Sequence, residues 1–195
     1  MLTLPSPLHP AIVHFPIVLL LLGAGVAVVS VVLNRWHLPW IAAVLLALGS
    51  VGAFVAAETG EDAEDLAGEL AGPAKTLFEA HEEWAERTEA AGAAAAVLAI
   101  AAAGLGAFAS RKSLKGNLPS VAGPTALPKA ALALRAVAAV AALTVCYFVY
   151  ETGHAGGKLV YEYGVGVKTT AAQPGQSPVR PGPDTSTHHE RRAED

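Results

Sequence analysis

Long apolar runs dominate the chain: about Ala11 to Leu33, Pro39 to Ala57, Ala91 to Ala109 and Ala130 to Tyr150, with polar stretches between them. At 1.5 Å per residue each run covers roughly 28 to 35 Å, enough to cross a hydrocarbon core of about 30 Å. The pattern predicts an all-α fold, an integral membrane four-helix bundle. The second and fourth runs leave through the same tripeptide, Glu58-Thr59-Gly60 and Glu151-Thr152-Gly153. That recurrence predicts two duplicated helical hairpins entering and leaving on one side. From Lys168 the sequence turns to Pro, Gly, Ser, Thr, Gln and charge, too poor in apolar groups to repay ordering entropy. The expected organisation is a four-span transmembrane domain over 1–168 and a disordered polar tail over 169–195, in which His188 and His189 read as solvated residues.

Composition agrees. Of 195 residues 53% are hydrophobic and 15% charged, and mean hydropathy is +0.43, against about 25% charge in soluble domains. The 13 bases and 17 acids give a net charge of -4, and the bases form no phosphate-tracking surface, which excludes nucleic acid as a partner. Cys146 is the single cysteine. It allows neither an internal disulfide nor a Cys-x-x-Cys-His haem attachment, so any cofactor is held without covalent bonds. Met1 to His9 has no basic stretch and no small-residue cleavage site, and the first helix is expected to be retained.

The bases also set orientation, because Lys and Arg beside a span resist translocation. Arg35 lies in the first connection and Arg111, Lys112, Lys115 and Lys129 in the third, both expected in the cytoplasm. The second connection, Glu58 to Ala90, is acidic and expected outside, together with both termini. Arg135, deep within a run where no other Asp, Glu, Lys or Arg is found, is expected to snorkel to the cytoplasmic surface.

Gly23, Gly25, Gly49, Gly52, Gly104, Gly106 and the run Ala93 to Ala96 supply the small residues by which helices approach closely in lipid. The histidines are the informative polar feature. His9, His14, His81 and His154 all fall near the outward ends of spans under this orientation, and an imidazole there needs a partner. In His9-Pro10-Ala11-Ile12-Val13-His14-Phe15-Pro16, Pro16 lacks the N–H for the Ile12 carbonyl, so the first turn is expected to be loosened. On a regular helix His9 lies about 140° from His14. His81 heads a stripe of Ala85, Thr88, Gly92, Ala95, Ala96 and Ala99, with Glu79, Glu82, Glu83, Glu86 and Glu89 on the opposite arc. The third helix is therefore expected to run outward past the membrane. Around His154, Gly153, Gly156 and Gly157 predict a capping or re-entrant turn, near Tyr147, Tyr150 and Tyr161.

The opening His-Pro-x-x-Val-His-Phe-Pro-Ile, the His81 lead of the third helix and the closing Gly-His-x-Gly-Gly-x-Leu-Val-Tyr with Gly-Val-Gly-Val resemble the bacterial family named domain of unknown function 2231. The likeness spans about Leu8 to Val167. It implies a small four-helix protein of the bacterial inner membrane, and some relatives occur beside c-type cytochrome modules. By position His14, His81 and His154 match the family's histidines, and His9 matches its leading His-Pro. Glu162 and Tyr163 stand where relatives often have a further His or Arg, and the acidic insertion before His81 is longer.

These features lead to an outward histidine cluster serving as a redox-linked module that holds haem b non-covalently. His14 and His154 are the expected axial pair, His81 the alternative ligand, and Tyr147 and Tyr150 the pocket walls. One rival reading is a divalent-metal site with His81, Glu82, Glu151 and His9 as ligands. Another is a non-catalytic scaffold whose acidic segment Glu58 to Glu69 docks a partner. Expected partners are the lipid bilayer, a redox partner such as a c-type cytochrome, and a second copy in a homo-oligomer. Enzyme motifs are missing: there is no nucleophile elbow, no phosphate-cradling loop and no His-Glu-x-x-His, since His81-Glu82-Glu83-Trp84-Ala85 lacks the second histidine.

Overall fold

Proline and glycine set the helix boundaries. The computed structural model describes residues 9–33, 35–67, 70–116 and 129–165, so the expected disorder of 169–195 lies outside the described residues. A single turn, α1 (His9–Ile12), leads into α2 (His14–Val32), followed by α3 (Leu38–Ala67), α4 (Pro73–Gly116) and α5 (Lys129–Tyr161). α1 and α2 are parted at Val13, one turn before Pro16, where the missing N–H loosens the ladder as expected. Gly72 takes a positive φ of 58° directly before α4, and Gly164, at 68°, follows the end of α5.

Among the described residues four helices are long and apolar enough to cross a membrane: His14–Val32, Leu38–Gly60, Pro73–Ala109 and Lys129–Tyr161. The all-α four-helix bundle stands. α4 has 44 residues and is therefore about 66 Å long, roughly twice the hydrocarbon thickness, so its first turns stand outside the bilayer.

The interior is made of small residues. In α2 the buried seam steps by four and three through Pro16, Leu20, Gly23, Ala27 and Ser30, and α3 answers with Pro39, Ala42, Leu46, Gly49 and Ala56. The two fit reciprocally: a Cβ on Gly23 would stand 2.9 Å from Leu46 Cγ, and one on Gly49 2.8 Å from Leu20 Cγ. Each leucine fills the gap left by the other helix's glycine. The second hairpin repeats the spacing with Thr88, Gly92, Ala95, Ala99, Ala102 and Gly106 on α4 against Ala131, Arg135, Ala138, Ala142 and Val145 on α5. Spacing of 3.5 residues per turn is that of left-handed supercoils. Since lipid gives helices no hydrophobic reason to associate, dispersion between closely spaced backbones holds the bundle together.

Two expectations are corrected. Gly153 to Gly157 form no turn, because α5 continues as helix to Tyr161. Arg135 does not snorkel: it is 4% exposed and its Nη1 donates to the Ser30 carbonyl at 3.3 Å. Gly106 on α4 makes room for its guanidinium, since a Cβ there would stand 3.2 Å from Nη2.

Candidate histidine pole

Extending the seams by their own spacing reaches a histidine in each hairpin. Upstream of Pro16, steps of three and four lead to Val13 and His9; upstream of Thr88 the same steps lead to Ala85 and His81. Both rings therefore enter the helix interface rather than facing lipid. His9 Nδ1 donates to the Ala56 carbonyl of α3 at 2.7 Å, an oxygen that also accepts the Thr59 hydroxyl at 2.9 Å. His81 Nδ1 donates to the Thr152 carbonyl of α5 at 2.9 Å.

Each ring also lies against a glycine four residues beyond its acceptor. A Cβ on Gly60 would stand 3.3 Å from His9 Cε1, and one on Gly156 3.0 Å from His81 Cε1. Carbonyl, ring and glycine thus recur as Ala56, His9, Gly60 and as Thr152, His81, Gly156, so the two hairpins repeat one local arrangement at this pole. The structural equivalence pairs Gly60 with Gly156. The Glu-Thr-Gly tripeptide would pair it with Gly153, three residues short and nearly one turn away.

Tautomers follow from these bonds. A carbonyl oxygen only accepts, so Nδ1 carries the hydrogen in both rings and Nε2 of each neutral ring holds a lone pair. His9 lies close enough to His81 for their charges to interact. Below His81, Thr88 Oγ1 lies 3.2 Å from Thr152 Oγ1, and each also lies within bonding distance of a carbonyl one turn back, Trp84 and Phe148; with one hydrogen apiece, a hydroxyl that bonds the other gives up its carbonyl. The pole thus has two oriented imidazoles above a pair of neighbouring hydroxyls.

The other expected site residues are placed differently. His14 and His154 are exposed, and the His154 ring stacks on Tyr150 with centroids 5.9 Å apart and planes at 10°. Tyr147 and Tyr150 are also exposed and face outward, away from the seam. Trp84 meets Tyr147 edge-on at 5.9 Å and carries the Arg87 guanidinium 4.5 Å above its ring, an interfacial aromatic group on α4 and α5. Glu82 is exposed on the acidic arc of α4, and Glu151 accepts the Tyr147 hydroxyl. Among the described residues no group of three or more His, Cys, Asp and Glu side chains is placed to hold a metal ion. Two open grooves flank the pole: one of about 390 Å³ beside Phe54, Glu86 and Glu89, and one of about 460 Å³ beside Leu77, Lys158 and Tyr163. Neither is lined by a histidine.

Reading outward from Pro16 and Thr88 in steps of three and four would have singled out His9 beside His81. A regular wheel centred on His14 hides this, because Val13 interrupts the helix between the two histidines.

Among known proteins, a family model described as a predicted membrane protein, DUF2231, matches residues 5–169. No curated protein and no solved structure matches the chain.

Proposed function

The chain belongs to the DUF2231 family of predicted membrane proteins, and from that premise we propose that it is a redox-linked membrane module whose histidine pole holds haem b non-covalently, with His9 and His81 as the axial pair. The observation that carries this reading is the shared orientation of the two rings: each spends its Nδ1–H on a backbone carbonyl of a neighbouring helix and keeps the Nε2 lone pair. Metal-ligating histidines are fixed in this way.

The donor set favours haem over a bare divalent ion. Structural zinc takes about four protein ligands, whereas a porphyrin brings four nitrogens and leaves two axial positions, matching two imidazoles. When bound, haem supplies one-electron chemistry at a potential set by ligation, burial and hydrogen bonding. The seam beneath the pole leaves no slot for a macrocycle, since Leu46, Ala95, Ala142 and Val145 are closed to solvent, so haem would be held at the pole itself. Within the chain, Ala56 and Thr152 hold the rings, Gly60 and Gly156 make room for them, and the acidic arc of α4 offers a cationic redox partner a docking face.

The test is the absorbance of purified full-length protein expressed with haem supply. The reading predicts a Soret band that survives His14→Ala and His154→Ala and is lost in His9→Ala and His81→Ala. Protein without a Soret band overturns it, and a band lost only in the His14 and His154 variants returns the axial role to that pair.

A further inference from the structure

The opposite end of the bundle holds a charge that the histidine pole does not explain. Arg135 projects from the second turn of α5 between α2 and α4, with 4% of its surface exposed. A guanidinium carries five N–H donors and stays charged in any protein environment. Nη1 makes a long bond of 3.3 Å to the Ser30 carbonyl, one of the last four of α2, while Nε is buried with no hydrogen-bond partner among the described residues.

Among the described residues no carboxylate pairs with this charge. Residues 1–57 and 90–150, which include both connections at this pole, contain no Asp or Glu at all. The same stretches hold Arg35, Arg111, Lys112, Lys115, Lys129 and Arg135. A desolvated cation with no acid on its pole is stabilised only in part by the negative end of α2.

We propose that this pole is a phosphate site, in which the headgroup phosphate of an anionic lipid in the adjoining leaflet engages the guanidinium of Arg135. Nε and Nη2 form the edge that binds an oxyanion with two parallel N–H groups. Nη2 packs against Gly106 of α4, where a Cβ would come within 3.2 Å, so the glycine is what admits the guanidinium between the helices. Depth is suitable: Arg135 stands six residues into α5, about 9 Å from its first residue, the scale of one headgroup layer. Lys129, exposed at the same pole, draws anionic headgroups toward it.

The experiment uses full-length protein reconstituted in vesicles of phosphatidylcholine mixed with phosphatidylglycerol, released into detergent, with retained lipids counted by native mass spectrometry. Wild type is expected to retain phosphatidylglycerol in preference to phosphatidylcholine, Arg135→Gln to lose about fivefold of that preference, and Arg35→Gln to keep it. Should Arg135→Gln fail to fold, Arg135→Lys keeps the charge but loses the two-pronged edge, and the proposal expects a reduced preference there as well. Adding inorganic phosphate separates the sources: displacement of the lipid supports the site and assigns it to the free ion, and persistence supports the site and assigns it to the headgroup. Equal preference in wild type and both Arg135 variants overturns the proposal, as do equal losses at Arg135 and Arg35, which describe a diffuse basic surface instead.

Discussion

The two poles of this bundle solve one packing problem with opposite chemical results. At each, a large basic side chain enters a seam of alanines and glycines and finds a glycine across from it: His9 at Gly60, His81 at Gly156, Arg135 at Gly106. At the histidine pole the neutral rings satisfy themselves with one strong bond each, at 2.7 and 2.9 Å, and retain a lone pair. At the arginine pole the guanidinium makes one long bond and keeps a buried Nε with no partner among the described residues. The acids are distributed with the same asymmetry, since Glu58, Glu79, Glu82, Glu83, Glu86, Glu89 and Glu151 all lie toward the histidines. Glycine decides where a polar side chain can enter such a seam, and the surrounding charge decides whether it rests there satisfied.

The comparison is broken most severely by filling a glycine. Gly156→Val pushes a side chain into a ring already 3.0 Å from the ideal Cβ position and costs the His81–Thr152 bond with it, so a loss of about 3 kcal/mol is expected in the unfolding of the detergent-solubilised protein. Full stability in that variant would show that the ring does not pack on α5. Next in size, His81→Ala leaves the Thr152 carbonyl without its ring donor and is expected to cost about 1–3 kcal/mol, whereas His154→Ala at an exposed position is expected to cost less than about 0.5 kcal/mol. Equal losses would erase the distinction between the two histidines. Arg135→Met sharpens the contrast from the other pole: replacing a poorly satisfied buried charge by an apolar side chain of similar length is expected to change stability by less than about 1 kcal/mol in lipid without anionic headgroups. A large loss there would mean that the arginine is a structural staple. Smallest are Gly25→Ala and Gly104→Ala, where a Cβ meets nothing within 4 Å and thermal unfolding should move by no more than about 0.5 kcal/mol.

The spans were legible because nearly every residue of each run is apolar over a membrane's thickness. The inner stripe below His81 was legible because α4 carries acids on its far side, and Thr88, Ala95, Ala96 and Ala99 are buried as the wheel requires. α2 offers no such contrast. It is apolar all round, so its inward face is marked by size, through Gly23, Ala24 and Ala27, and lipid-facing Val18 and Leu22 differ from it in bulk alone. The sequence puts His9 in the rival metal site and not in the haem pair for the same reason, since its place in the seam depends on those small residues and on the break at Val13. The glycines after His154 read locally as a turn, yet helix packing overrides local propensity: Gly156 serves in the helix as the space for His81. Arg135 lies near enough to the helix start to suggest snorkelling, and only the position of Gly106 and of the α2 carboxyl end shows that the side chain turns inward.

The orientation of the two rings is the claim on which the histidine pole rests, and nitrogen NMR of full-length protein with labelled histidine, recorded without added haem at a pH where imidazoles are neutral, reads it directly. Two of the seven histidines should carry their proton on Nδ1 and leave Nε2 bare, and those signals should vanish in His9→Ala and His81→Ala. If His9 and His81 instead carry the proton on Nε2, the carbonyl bonds to Ala56 and Thr152 do not exist, and the proposed ligand pair has no oriented lone pairs to offer.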